Sequence, residues 1–65
     1  MILNPRQKVI LAILIKGNRW MNTAEISRLG RMSWNTAYYY LSDFYERRWV
    51  YRNGNYWKAN IKRRY

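Results

Sequence analysis

The stretch from Ser33 to Arg47 restricts the fold of this chain more than any other segment does. Ala37, Leu41 and Phe44 recur at positions i, i+4 and i+7, which places them along one side of an α-helix. Ser33 can cap this helix, because its hydroxyl can accept a hydrogen bond from a free backbone N–H group of the first turn. We therefore predict a helix that follows a tight turn and buries one side. Its other sides carry Trp34, Asn35, Tyr38, Tyr39 and Ser42.

An earlier helix is predicted from Pro5 to Lys16. Asn4 and Gln7 have the spacing of a capping box, and a proline suits the first helical position, where its missing N–H group leaves no bond unmade. Gly17-Asn18 follows, and both residue types tolerate the left-handed conformation that ends helices. This segment is therefore expected to be a helix with defined ends.

A short helix is predicted between these two, from Thr23 to about Leu29. The segment from Asn22 to Glu25 again has capping-box spacing, and Gly30 is expected to end the helix. Ile26 and Leu29 are expected to face the core. Residues 19–21 can form one short extended piece before it.

The first helix is apolar on more than one side. Ile10, Ile13 and Leu14 form the expected core stripe, whereas Leu11 and Ile15 project on a different side. Two explanations remain open: the aromatic C-terminal half of the chain covers this second side, or a homodimer forms there. The residues of such a dimer interface would be Leu3, Leu11 and Ile15, together with Ile2.

The C-terminal part changes to a β-strand pattern. Residues 49–52 and 55–58 are rich in aromatic and β-branched side chains and are joined by Asn53-Gly54, a strong signal for a hairpin with a type I′ turn. In that register Val50 lies opposite Trp57, and Tyr51 lies opposite Tyr56. We expect Val50 and Trp57 to pack on the helices, because an isolated hairpin is only marginally stable.

Charge indicates the type of partner. The 65 residues, which we take as one domain, include 13 Lys and Arg against 3 Asp and Glu, for a net charge of +10. Nucleic acid is the leading polyanionic partner, and an anionic membrane surface is the second.

The chain has neither His nor Cys, so we expect no metal, no cofactor and no catalytic activity. Its longest apolar run, residues 9–15, is too short to span a bilayer, where about 20 residues are needed.

The order helix, short strand, helix, turn, helix, hairpin resembles that of winged helix-turn-helix DNA-binding regulators. The resemblance covers about residues 22–58 and departs at Arg48, where the family usually has the glycine that ends the recognition helix. Small size and an aromatic, cysteine-free composition also resemble regulators carried by archaeal viruses and plasmids. The matching positions are Glu25-Ile26-Ser27, Leu29-Gly30, Ser33, Thr36-Ala37, Leu41, Phe44 and Trp49-Val50.

This resemblance implies a mostly α-helical fold of three helices plus a wing, and a cytoplasmic, sequence-specific regulator that binds double-stranded DNA as a homodimer. Residues 33–47 would enter the major groove, and residues 49–58 would reach the backbone or the minor groove. Asn35 can pair with adenine, and no arginine on this side of the helix is aimed at guanine, so we expect A·T-rich or easily deformed sites. The expected DNA-contacting residues are Arg28, Arg31, Ser33, Trp34, Asn35, Thr36, Tyr38, Tyr39, Arg52, Asn53, Asn55 and Lys58.

Other interpretations remain. Tyr40 is expected in the core, and Trp34 and Tyr45 can also pack there rather than contact a partner. The chain can bind single-stranded nucleic acid or RNA if hairpin aromatics form a stacking platform. It can also be a protein-interaction module, since exposed Tyr, Trp and Arg are favoured at protein interfaces. The proposed stacking residues are Tyr51, Tyr56 and Trp57.

Overall fold

The computed structural model describes residues 3–60 of the chain. Within them, three helices pack on one side of a three-stranded antiparallel sheet, which confirms the expectation of a mostly helical fold with a small hairpin. Ile2, which was expected to extend the dimer interface, and the basic residues 62–64 lie outside the described part. The elements are α1 Pro5–Gly17, β1 Met21–Asn22, α2 Thr23–Leu29, α3 Trp34–Glu46, β2 Val50–Asn53 and β3 Tyr56–Ala59.

The ends of α1 follow the sequence signals. The Asn4 side chain accepts from the Gln7 backbone N–H at 2.9 Å, and the Gln7 side chain accepts from the Asn4 N–H at 2.8 Å. The helix runs one residue further than predicted, to Gly17, and Asn18 adopts the left-handed conformation with φ 47°. The backbone N–H of Asn18 donates to the Leu14 carbonyl at 2.9 Å, which closes the last turn.

The prediction that Gly30 ends α2 is confirmed, although Gly30 does not itself adopt the left-handed conformation. Gly30 has φ −88°, and the left-handed residue is Arg31 at φ 55°. Space at position 30 is tight: a Cβ there would lie 2.6 Å from the Met32 Cε, the end of a flexible side chain, and 3.3 Å from the Ile26 carbonyl oxygen. The N–H groups of Arg31 and Met32 close the turn on the carbonyls of Arg28 and Ser27.

The end of α3 has the same geometry without any glycine. Arg48 adopts φ 64°, its N–H donates to the Tyr45 carbonyl at 3.0 Å, and the N–H of Trp49 donates to the Phe44 carbonyl at 2.9 Å. The Phe44 and Trp49 rings stack at 5.5 Å, which is the apolar contact that usually accompanies this motif. An arginine therefore occupies the left-handed position that glycine usually fills, at a cost of about 1–2 kcal/mol.

The core lies between the helices and the inner side of the sheet. The expected stripe on α3 is confirmed, because Ala37, Leu41 and Phe44 are fully buried. Leu29 was expected in the core but is 58% exposed, because the short α2 turns its Ile26 and Ser27 side inward. The buried apolar residues are Ile10, Leu14, Met21, Ile26, Ala37, Leu41, Phe44, Val50, Trp57 and Ala59.

Four residues that had been assigned to the core, or allowed there, differ in burial. Tyr40 is half-buried against the core, and its hydroxyl accepts from the Asn4 side-chain amide at 3.2 Å. Trp34 and Tyr45 are exposed instead, by 42% and 44% of their surface. Ile13, expected within the stripe of α1, is only partly buried. The α3 helix therefore leaves more of its aromatic surface free than a core role would allow.

The predicted hairpin register is wrong by two positions. Arg52 lies opposite Trp57, and Tyr51 lies opposite Lys58. The turn consists of Gly54 and Asn55, and Gly54 has φ 63°, as a type II′ turn requires at its first central position. A turn moved by one residue changes each cross-strand partner by two residues, so each side chain stays on the predicted side of the sheet. Val50 and Trp57 consequently still face the helices, as expected.

The short extended piece expected over residues 19–21 is displaced to β1, Met21–Asn22. It pairs with β3, with Met21 opposite Trp57 and Asn22 opposite Tyr56. The sheet order is therefore β1-β3-β2, and β3 is the central strand. Because β1 leads directly into α2, this pairing places the hairpin beside the start of that helix.

Candidate nucleic-acid interface

The first turns of α3 present an exposed polar and aromatic surface. Asn35 is exposed, and Tyr39 is exposed by 70%, the largest fraction among the exposed large aromatic and aliphatic residues. The two residues are four apart, so they lie above one another on the same side of the helix. This side points away from the buried Ala37, Leu41 and Phe44, and it is free to contact a partner.

Two hydroxyls at the start of α3 already have local partners. The Ser33 oxygen accepts from the Thr36 backbone N–H at 3.1 Å, and the two side-chain hydroxyls are 2.8 Å apart. This is ordinary helix capping. A phosphate contact by either residue is compatible with it and stays a prediction.

Two other predicted contact residues, Trp34 and Tyr38, pack on each other. Their rings are stacked with centroids 5.1 Å apart and an angle of 8° between the planes. Tyr38 also meets the buried Trp57 edge-on at 6.0 Å. Trp34 keeps an exposed surface, whereas Tyr38 is half-buried. We call these three residues the aromatic cluster; it joins α3 to the hairpin.

Arg52 lies against this cluster. Its guanidinium carbon is 5.6 Å from the Tyr38 ring centroid and 5.1 Å from the Trp57 ring centroid. One terminal N–H group donates to the Tyr38 hydroxyl at 3.0 Å, and the Nε–H group donates to the Gly54 carbonyl at 3.0 Å. Arg52 therefore holds the hairpin against α3. Its expected contact with DNA stays a prediction.

A buried hydrogen-bond relay holds the hairpin against α2. The Trp57 indole N–H donates to the Thr23 hydroxyl at 2.8 Å, and that hydroxyl donates to the Asn55 carbonyl at 3.2 Å. The Thr23 backbone N–H donates to the same carbonyl at 3.0 Å. Trp57 and Thr23 are fully buried. The relay thus connects the hairpin to α2 through Thr23, a residue that was not assigned to any site from the sequence.

The remaining predicted contact residues do not share one surface. Arg28 and Arg31 are exposed at the end of α2, close in sequence to the start of α3. Asn53 and Lys58 point to the outer side of the sheet, opposite to Arg52, because side chains alternate along a strand. The structure therefore separates the basic hairpin residues onto two sides of the sheet.

Carboxylates do little to reduce the positive field. Glu25 is bonded to Arg19, with Oε2 2.6 Å from Nη2, and the hydrogen bond from this guanidinium lowers the pKa of the Glu25 carboxyl. Asp43 pairs with Arg47 at 3.0 Å, one turn along α3. Two of the 3 acidic residues are therefore held in ion pairs near the helices.

One residue that was assigned to a stacking platform from the sequence is buried. Trp57 has no exposed surface, so it cannot stack on a base, whereas Tyr51 and Tyr56 are 48% and 49% exposed. Trp20 is 42% exposed and was not assigned any role. No sequence pattern marks Trp20 as exposed, because the side of the sheet that it faces depends on the pairing of β1 with β3.

An apolar groove opens on another side of the molecule. It has a volume of about 980 Å³ and is lined by the three residues expected at a dimer interface, Leu3, Leu11 and Ile15. Tyr45 and Trp49 also line it, so the aromatic half of the chain borders this side of α1. Ile15 nevertheless stays 54% exposed. Within residues 3–60, the groove is therefore bordered but not filled.

Over the described residues, no three or more His, Cys, Asp or Glu side chains are grouped so that they could hold a metal ion. In the same part of the chain, no helix has the length and apolar character needed to cross a membrane. Comparison with protein-family models, curated proteins and solved structures found no match for this chain. Its functional assignment therefore rests on its own residues and geometry.

Proposed function

We propose that this chain is a winged helix-turn-helix protein that binds double-stranded DNA sequence-specifically and regulates transcription in the cytoplasm. The observation that carries the proposal is the exposed pair Asn35 and Tyr39 on the outward side of α3. Two exposed arginines precede this side, Arg28 in the last turn of α2 and Arg31 in the turn that follows, in a chain of net charge +10. A basic surface around a helix with free polar and aromatic side chains suits the major groove.

Base contacts would come from few residues. Asn35 can bond to both N6 and N7 of an adenine, and Tyr39 can contact a thymine methyl group. The outward side of α3 carries no arginine that could bond to guanine. A·T-rich sites, or sites that deform easily, are therefore the expected targets.

The hairpin would serve as the wing. Asn53, Asn55 and Lys58 can approach phosphates beside the groove. Arg52 acts differently in this proposal, because its contacts with Tyr38 and Trp57 set the position of the hairpin relative to α3. Phosphate contacts contribute to affinity on all sequences, and Asn35 and Tyr39 contribute to the choice among them.

A second copy of the chain is proposed to occupy the apolar groove. Leu11 and Ile15 are among its apolar lining residues, and the charged residues Glu46 and Arg48 also line it. A two-fold axis repeats both charges, so an acid of one copy can face a base of the other. Such a dimer would bind two half-sites about 34 Å apart, one helical turn of DNA.

Selection from a random library tests the proposal. Duplex and single-stranded pools are offered in parallel at moderate salt, and the retained DNA is sequenced. An enriched duplex motif with two related half-sites is expected, and Asn35→Ala and Tyr39→Ala are expected to relax it. Arg28→Gln is the matched control: it removes a charge, so it weakens binding to all duplexes equally. Retention without a motif, or equal losses from all three variants on every sequence, would contradict sequence-specific reading.

Sedimentation of the free protein tests the dimer. Ile15→Glu places a charge in the groove and should give a monomer, whereas Leu29→Glu, on another exposed apolar position, should leave the dimer intact. A monomeric native chain, or a dimer unaffected by Ile15→Glu, would remove the groove from the proposal.

A further inference from the structure

The outer side of the sheet carries exposed aromatic residues that the proposed duplex contacts do not use. Tyr51 on β2 and Tyr56 on β3 are exposed by 48% and 49%. Trp20, directly before β1, is exposed by 42%, while the next residue, Met21, is buried. The inner side of the same strands holds Trp57 and the other residues that pack on the helices. We call Trp20, Tyr51, Tyr56 and Lys58 the outer sheet surface.

The strand register arranges these residues around a lysine. Tyr51 lies directly opposite Lys58 across β2 and β3. Extending the pairing of β1 with β3 by one residue places Trp20 opposite Lys58 on the other side. Neighbouring strands are about 4.8 Å apart, so these three side chains form one row across the sheet. In the adjacent row Tyr56 lies between Asn22 and Asn53.

The chemistry of these two rows favours one class of ligand. Aromatic rings with free surfaces stack on nucleobases of any sequence, and a lysine beside them can pair with a phosphate. None of the six residues carries a negative charge, and the whole chain carries +10. In a duplex the base faces are stacked on one another, so a ligand that uses exposed rings must have unpaired bases.

We propose that the outer sheet surface binds single-stranded nucleic acid, with bases stacked on Trp20, Tyr51 and Tyr56 and a phosphate at Lys58. This site is separate from the exposed side of α3, because the helices pack on the opposite side of the sheet. It shares Lys58 with the proposed wing contacts, but its stacking residues Trp20, Tyr51 and Tyr56 take no part in the proposed duplex binding. A chain with both sites can hold duplex DNA and an adjacent unpaired strand.

The test uses fluorescence anisotropy with two labelled oligonucleotides of about 12 nucleotides, a length within the usual site size. One is oligothymidylate, and the other has the same backbone without bases. The native protein should bind oligothymidylate more tightly than the abasic strand. Trp20→Ala should weaken oligothymidylate binding roughly 5- to 150-fold, the range expected for the loss of one stacking ring, and should reduce the preference over the abasic strand.

Trp20→Phe is the conservative variant; it retains a ring and should restore most of the affinity. Tyr39→Ala, on α3, is the matched aromatic control and should leave oligothymidylate binding unchanged. Trp20 is the deciding position because Tyr51 also borders the apolar groove. Circular dichroism of each variant verifies that the exposed substitutions leave the fold intact.

Three results would overturn the proposal: equal binding of the native protein to both strands, unchanged oligothymidylate affinity in Trp20→Ala, or an equal loss in Tyr39→Ala. A duplex titration of the same variants keeps the two sites distinguishable. Trp20→Ala should leave duplex binding intact, whereas Tyr39→Ala should impair it. Failure of one site therefore leaves the result for the other unaffected.

Discussion

Replacing Arg52 with methionine tests whether this residue positions the hairpin. Methionine keeps an unbranched apolar stem over the rings but removes the charge and both hydrogen bonds. Each cation–π contact at an exposed site contributes about 0.5–1 kcal/mol, and each hydrogen bond about 0.5–1.5 kcal/mol. Since Arg52 is exposed and its contacts share one group, we take the lower ends and expect a loss of about 1–2 kcal/mol in the free energy of unfolding.

Thermal unfolding followed by circular dichroism measures this loss. For a domain of this size, 1 kcal/mol lowers Tm by about 4–8 °C, so Arg52→Met should lower Tm by about 4–15 °C. Arg28→Met is the matched control, an exposed arginine on α2, and should change stability by less than about 0.5 kcal/mol. Equal effects of the two variants would refute a positioning role.

DNA binding gives an independent measurement of the same role. A residue that contacts a phosphate contributes about 0.9 to the slope of log K against log salt concentration. A positioning residue contributes nothing to that slope, although its loss lowers affinity for the preferred site. Arg52→Met should therefore weaken specific binding with an unchanged slope. A slope reduced by about 0.9 would instead make Arg52 a phosphate contact.

Three further predictions concern stability. Arg48→Gly should raise the free energy of unfolding by about 0.5–1 kcal/mol in chemical denaturation, because relief of the left-handed strain exceeds the entropic cost of glycine; a loss would mean that the arginine side chain stabilises the helix end. Thr23→Val should cost about 1–3 kcal/mol, because it leaves the buried Trp57 indole N–H without an acceptor; a neutral result in the same denaturation would show that another group replaces the hydroxyl. The ion pair with Arg19 lowers the pKa of the Glu25 carboxyl in the folded chain. The stability that this pair contributes is therefore complete above pH 4.5, the ordinary pKa, and is lost as the pH falls through the lower pKa of the folded state. The free energy of unfolding of the native chain should therefore be constant from pH 8 to 5. Glu25→Gln should remove part of its decrease below pH 4.5; an unchanged decrease would mean that protonation of Glu25 is not coupled to unfolding.

Sequence signals predicted the structure correctly where the contacts join residues that are close in the sequence. The capping box of Asn4 and Gln7 and the apolar repeat of α3 depend on neighbours three, four and seven residues away, and both predictions are confirmed. The register of the hairpin failed because its turn is held by a distant residue. Thr23 donates two hydrogen bonds to the Asn55 carbonyl, and these favour a turn at Gly54 and Asn55 over the locally preferred Asn53-Gly54.

At the candidate site, the sequence predicted which side chains point away from the core but not which of them remain exposed. Helical spacing could assign Trp34, Tyr38 and Tyr39 to the sides of α3 away from the core, but not which of them stay free. Tyr38 is half-buried by Trp57 and Arg52, two inner-side residues that only the correct register places directly opposite each other. Tyr39 has no such neighbour from the hairpin and keeps 70% of its surface. Tyr38 holds α3 and the hairpin together, so it cannot move to contact a base. Base recognition by α3 should therefore depend on Asn35 and Tyr39.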